Sequence, residues 1–370
     1  MKKKLWSVVL ACALVAGMLA GCGGGSGSSG GSSSSGGSSS SSSGSASSGG
    51  SSSSSSGSSS SSGGGAAAAE YKWKLALNGT EGEVAYDMGK FFADKVAELT
   101  NGAVEVTLYG GAALGTTTEV LEGMSAKVAD ACVESVGTLA PFTPLANIDA
   151  MPYMYTGGYD HFAKVWASDL GHEILQKVGD DAGFKLMGAC YRGARVVTAT
   201  KKMVTVDDFK GFKLRAPNLD MYMKTWQWMG SAPTPLAMGE VYPALQQGTV
   251  EGQENSILDS SNYSIQEVCK FWILTNHVYS ANTVIMDKAY FESLPADIQA
   301  AVQEASEYAA QQASQEVLDN EGAKRAELEK DFGVEFVDVD NAAFGEKFNG
   351  FAEANFPDLA DWANAIRAMG

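Results

Sequence analysis

Residues 23–65 are 43 consecutive positions of Gly and Ser, interrupted only by Ala46. A segment with no apolar side chains has nothing to bury against the entropy of ordering, so it forms no core. Whatever folds must therefore come after it, from Glu70 to Gly370. At 301 residues this remainder exceeds the size at which single cores usually stop growing, and two lobes are expected. Within the Gly/Ser run, Gly25 to Gly30 matches GxGxxG literally. No strand pattern precedes it and no helix pattern follows, so the match is an accident of composition.

The segment before the run carries an address. Lys2, Lys3 and Lys4 precede an apolar stretch from Leu5 to Ala16, and Leu19-Ala20-Gly21-Cys22 follows. Charge, apolar run and small residues in that order read as a signal peptide over residues 1–21, too short for a permanent span. Leu19-Ala20-Gly21-Cys22 resembles a bacterial lipobox, which implies cleavage before Cys22 and lipidation of its thiol. Each buried methylene of such an anchor contributes roughly 0.8 kcal/mol. Residues 22–69 then act as a tether, with a root-mean-square reach of roughly 35–40 Å. The expected location is extracytoplasmic, anchored at the outer face of the cell membrane.

The chain has 26 Lys and Arg against 43 Asp and Glu, a net charge of −17. Loss of the three N-terminal lysines takes it to near −20, and a basic nucleic-acid binder is excluded. Of the remaining cysteines, Cys132, Cys190 and Cys269 have no CxxC spacing, so buried free thiols are expected rather than a zinc or redox motif.

Periodicity organises the rest as α/β. Tyr71 to Leu77 alternates as a strand, Val84 to Leu99 has helical spacing and stops at Asn101-Gly102, and Val104 to Tyr109 alternates again. Strand, helix, strand opens a parallel βαβ unit. Further expectations are a helix over 117–127, a strand over 128–133 ending at Glu134, and a helix over 159–179. Strands are expected over 184–189, 196–200 and 212–214, with a helix over 221–229. From Pro295 to about Lys330 runs a long helical pattern that either breaks near Asn320 to Gly322 or bridges two lobes.

Ligands of open α/β sheets sit beyond the carboxyl ends of strands. The segment Gly211-Phe-Lys-Leu-Arg215-Ala-Pro217 puts Arg215 at such an end, and Gly193-Ala194-Arg195 supplies a second arginine beside small residues. A guanidinium binds a carboxylate bidentately and stays charged. The densest polar motif runs from Pro233 through Glu240-Val-Tyr-Pro243 to Glu251-Gly-Gln-Glu-Asn255, and reads as a structured polar loop around a short helix.

These segments, in this order, closely resemble the solute-binding proteins of TRAP transporters, the DctP type. Leu114-Gly115, Ala150-Met-Pro-Tyr153, Gly193-Ala-Arg195 and Thr275-Asn-His277 are supporting matches, spread over nearly all of Tyr71 to Gly370. The resemblance implies a two-lobed periplasmic-binding-protein-like fold with a cleft between lobes and a long C-terminal helix running behind both. It implies capture of a small organic acid by cleft closure, with Arg215 on the carboxylate, Arg195 near it and Asn255 adding a hydrogen bond. It also implies delivery to a small and a large integral membrane subunit, with no cofactor and no enzymatic step. Met238 stands where many relatives carry Phe, an apolar wall that repacks easily, and Glu251 stands where many carry Asp.

Glu134 is a further candidate, for a ligand hydroxyl, and His277 for the cleft lining, although a packed histidine is the plainer reading. Glu240 and Glu254 read as acids that fix the loop around Arg215 and Asn255. His161 and His172 lack HExxH spacing, and no metal site is expected. Two alternatives stand beside transport: a ligand-sensing lipoprotein serving a membrane receptor, and an extracytoplasmic hydrolase or lyase with Glu240 or Glu254 as base. The second lacks a nucleophile elbow and any metal motif.

Overall fold

The computed structural model describes residues 69–370. The signal peptide, Cys22 and the Gly/Ser tether lie outside the described residues.

Strand β1 (Tyr71–Leu77), helix α1 (Val84–Leu99) and strand β2 (Val104–Tyr109) form as their periodicity requires. Met88, Phe92 and Val96 recur every four residues on α1 and are completely buried. Each contributes roughly 1.5–3 kcal/mol by leaving water. Helix α2 (Thr117–Gly123) is shorter than expected, passing into a single turn that Lys127 ends at φ 64°. Strand β3 (Ala131–Ser135) begins three residues later than its pattern suggests, because the Asp130 carboxylate accepts the Lys74 amide at 2.9 Å and holds that residue in the approach. The helix expected over 159–179 is two helices, α3 (Gly158–Trp166) and α4 (Asp169–Ala182). Between them Ser168 caps α4 by accepting the Gly171 amide at 3.4 Å.

Two expected strands are one. Strand β4 (Phe184–Ala199) runs 16 residues through Gly188 and Gly193, which look like breakers but sit at φ +72° and +88° in irregularities of the ladder. The second half then supplies β5 (Lys213–Ala216), α5 (Asp220–Met229), β6 (Ala232–Pro235), α6 (Val241–Gln246), β7 (Gly252–Ser256) and α7 (Ile257–Asn262). The polar segment around Asn255 is thus a fully buried strand rather than a loop. Strand β8 (Phe271–Asp287), helix α8 (Lys288–Ser293), helix α9 (Ala296–Phe332) and strand β9 (Glu335–Val337) follow, before α10 (Asn341–Lys347), α11 (Phe351–Asn355) and α12 (Ala360–Arg367).

The strands lie in the order β2-β1-β3-β8-β4-β7-β5-β6, with β9 also on β8. Each end of this sheet is a parallel triplet, β2-β1-β3 and β6-β5-β7. The antiparallel pair β4 and β8 joins them, β8 pairing with β3 near its end and β4 pairing with β7 near its end. The molecule is two-lobed, and both lobes share these two strands.

Helix α9 is unbroken for 37 residues, about 55 Å at 1.5 Å per residue. Its buried face is rich in small residues, Ala301, Ala305, Ser306, Ala309, Ala310, Ala313 and Ser314, with Ile298, Val302 and Val317 among them. Small side chains let the helix backbone approach β4, and Ser314 Oγ accepts the Tyr191 amide at 2.8 Å. At Gly188 a Cβ would stand 2.5 Å from the Ser306 carbonyl oxygen. Beyond a largely exposed stretch, Leu328 packs with Val196, Ile257 and Trp272 of the second lobe. The helix therefore bridges both lobes, and Asn320 to Gly322 do not break it.

Candidate functional site

Arg215 lies one residue before the carboxyl end of β5, in parallel register with Gln253 near the start of β7. Its side chain is 4% exposed. Nε and Nη2 both donate to the Leu236 carbonyl, at 2.9 and 2.7 Å, which ties down the segment leading to Met238. Among the described residues no carboxylate pairs with this guanidinium and Nη1 has no partner. Burial pulls its pKa down to about 10. A buried cation held only by a neutral carbonyl is poised to accept an anion.

Arg195 has a buried partner that the sequence did not indicate. Nε and Nη2 donate to the two Glu254 carboxylate oxygens at 2.6 and 2.7 Å, and Nη2 also reaches the Glu254 carbonyl at 2.9 Å. Nη1 donates to Asn255 Oδ1 at 2.7 Å, and the Tyr222 ring lies 5.0 Å from the guanidinium. Burial alone would push the Glu254 carboxyl up, but Arg195 and His277 hold it at about 2. Arg195 is therefore already neutralised, and of the two expected arginines only Arg215 keeps its charge unpaired. Glu254 fixes Arg195, not the loop around Arg215.

His277 is also not part of a cleft wall. It is 1% exposed, and its desolvation favours the neutral ring. Because ionised Glu254 can only accept, Nε2 carries the proton and donates to Glu254 Oε2 at 3.1 Å, while Nδ1 accepts from Thr275 Oγ1 at 2.9 Å. Trp226 closes over it edge-on at 4.9 Å. The packed-histidine reading holds, and the residue braces the arginine pair from behind.

Asn255 Oδ1 accepts a second bond from the Ser256 amide at 2.9 Å, so the Nδ2 amide is left to donate outward with no partner among the described residues. Met238 is half-buried against Val241, Leu245 and Ile265, a satellite core beside Arg215. Glu134 ends β3 in the other lobe, where Thr117 Oγ1 donates to Oε1 at 2.7 Å and burial raises its pKa. It lines a small recess of about 10 Å³ with Asn78 and Thr117. Glu240 accepts the Ala237 amide at 3.0 Å, a local turn contact.

Several groups here went unnoticed in the sequence. Arg192 Nη2 donates to Asp259 Oδ2 at 2.8 Å, and its charge reaches both Glu134 and Asp149. Asp149 is buried and accepts the Gly137 amide at 3.1 Å and the Ala281 amide at 2.7 Å. Burial pushes its carboxyl up to about 7. Tyr263 stands within the fields of Arg215 and Arg192. The signal for Arg192 was present as the other arginine of Arg192-Gly-Ala-Arg195, since an irregularity between Tyr191 and Ala194 alters the alternation of faces there.

Residues 76–355 match the family model for bacterial extracellular solute-binding proteins, family 7, or DctP. The chain belongs to this family. A sialic acid-binding periplasmic protein of Vibrio cholerae is 28% identical over 60% of this chain and 68% of its own length. A solute-binding protein of Roseobacter denitrificans is 29% identical over 68% and 77%. Among solved structures, a TRAP periplasmic solute-binding protein of Roseobacter denitrificans with bound L-galactonate superposes with a TM-score of 0.74, at 26% identity over 81% of this chain and 99% of that one. One from Sulfitobacter with bound β-D-galacturonate gives 0.74 at 25% identity, over 80% and 99%. This DctP chain is accordingly the solute-binding component of a TRAP-type transporter, in a family of binding proteins rather than enzymes. Among the described residues no helix is long and apolar enough to cross a membrane, and no cluster of metal-ligating side chains occurs.

Proposed function

We propose that this DctP protein captures a polyhydroxylated organic acid of the aldonate or hexuronate class between its lobes. The observation that carries the reading is Arg215, a buried guanidinium with a free Nη1 and no carboxylate partner among the described residues. Its outer edge receives the ligand carboxylate, and Asn255 Nδ2 adds a second donor. Arg195 positions Asn255 rather than touching the ligand as the main cation. Glu134, in the facing lobe, accepts from a ligand hydroxyl, and Met238 supplies an apolar wall. Acids of this class are bound in the Roseobacter and Sulfitobacter relatives. Closure excludes water and strengthens the charge-assisted bonds, and the closed form is presented to a small and a large integral membrane subunit.

The proposal extends to the rest of the chain. Residues 1–21 direct export, Cys22 is acylated, residues 22–69 tether the binding unit, and residues 70–370 form it. Mass spectrometry of the membrane-extracted protein tests the anchor, through diacylglycerol mass on the peptide that starts at Cys22.

The ligand is tested by calorimetric titration with D-glucuronate, D-galacturonate, L-galactonate and N-acetylneuraminate, each beside its amide or methyl ester. One acid is expected to bind and its neutral analogue to fail. Arg215→Ala is expected to weaken that acid by about a hundredfold or more, the loss of a charge-assisted pair in a closed site. Unchanged affinity in Arg215→Ala refutes the assignment.

A further inference from the structure

A second cavity, of about 560 Å³, lies where β8 meets the C-terminal helices, among residues distinct from those around Arg215. Asn276 and Tyr279 of β8 form one wall, Tyr153 and Tyr155 another, and Asn341 of α10 with Arg367 of α12 the third. Arg367 is the cation of this cavity and is half-buried. Among the described residues it pairs with no carboxylate, its contacts being long ones to the Tyr153 carbonyl at 3.5 Å and Asn364 Oδ1 at 3.3 Å. Three polar atoms on the lining residues, Tyr153 OH, Tyr155 OH and Asn341 Oδ1, are buried with no hydrogen-bond partner among the described residues. Such groups are unfavourable unless something satisfies them. The backbone of the walls is also unusual: Tyr153 and Asn276 sit at φ 52° and 43°, in the left-handed region. The Tyr153 amide donates to the His277 carbonyl at 2.8 Å, so the cavity wall is continuous with the strand that both lobes share.

We infer that this cavity is a second small-molecule site, for an aromatic carboxylate. The Arg367 guanidinium takes the carboxylate, and the tyrosines of the walls pack the aromatic body. Its position against Asn276 to Tyr279 gives an occupant direct contact with a strand through which lobe motion must pass.

The test is calorimetric titration of the protein with 4-hydroxyphenylacetate, with 4-hydroxyphenylacetamide as the uncharged control. The expected result is one-to-one binding of the acid, at least about tenfold weaker binding of the amide, and at least about tenfold weaker binding of the acid to Arg367→Gln. Asn276→Asp keeps a residue tolerant of the left-handed backbone and puts a negative charge in the wall, and is expected to weaken the acid similarly should Arg367→Gln fold poorly. Arg215→Ala is expected to leave this titration within about twofold. Three results each overturn the inference: no binding up to millimolar acid, equal binding to native and both cavity variants, or loss of binding in Arg215→Ala, which would place the acid in the cleft.

Discussion

Replacing Glu254 by glutamine tests whether the Arg195 network is the brace described above. The native carboxylate is completely buried and accepts from Arg195 at 2.6 and 2.7 Å and from His277 at 3.1 Å. Glutamine keeps one oxygen but turns an amide N–H toward Arg195 or His277, and it leaves a buried guanidinium without a counter-charge. Breaking one side of a buried pair costs about 3–5 kcal/mol. The depression of the carboxyl is of the same size: a pKa held at about 2 instead of 4.5 corresponds to about 3 kcal/mol. Because the folded pKa is depressed, this stabilisation is present in full above the unfolded value and fades as pH falls from about 4.5 toward 2. Urea unfolding at pH 7 and at steps down to pH 3 is therefore expected to show a gap of about 3–5 kcal/mol that narrows with acidity. A variant within about 1 kcal/mol of native at pH 7, or a gap that stays constant with pH, refutes the reasoning.

Gly188→Ala is expected to cost more than about 2 kcal/mol in thermal or urea unfolding, since its φ of +72° strains any side chain and the new Cβ meets the Ser306 carbonyl at 2.5 Å. Asp149 acts oppositely to Glu254: with its carboxyl raised to about 7 from 3.8, folding stability falls as pH rises between those values, by up to about 4 kcal/mol. Carbon-detected NMR of the Asp149 carboxyl is expected to titrate near neutrality, and a midpoint below 5 contradicts the assignment. Asn255→Asp keeps an oxygen for Arg195 but places a second negative charge beside Arg215. It is expected to weaken acid binding by more than about tenfold with little change in melting temperature, as read by titration calorimetry and thermal unfolding.

Local signals carried the first lobe well. Tyr71 to Tyr109 declared strand, helix and strand through periodicity alone, and Arg215 declared itself by standing before Ala216-Pro217 at a strand end. What stayed hidden was non-local. Glu254 lies 59 residues from Arg195, and only the antiparallel register of β4 with β7 brings them together. Strand β8 is mostly buried along its 17 residues, so it has no alternation, and Thr275-Asn-His277 and Ser280-Ala-Asn282 interrupt its apolar runs with polar groups. Gly193 falls in the gap between the strands expected over 184–189 and 196–200, and a sequence does not distinguish a turn glycine from a bulge glycine. The break between α3 and α4 is marked in the sequence by Ser168, a residue suited to capping.

The shared strands also set an order of events in folding. The strand that completes the sheet of the first lobe, β8, begins at Phe271, after every element of the second lobe from β5 to α7 has been synthesised. No N-terminal fragment ending before it can close β3 on its far edge, and neither lobe can finish alone. Folding is thus committed late, through contacts far apart in sequence, which is intrinsically slow. For a member of an extracellular family, a chain that resists completing its structure while still being made remains longer in a state that can be threaded elsewhere.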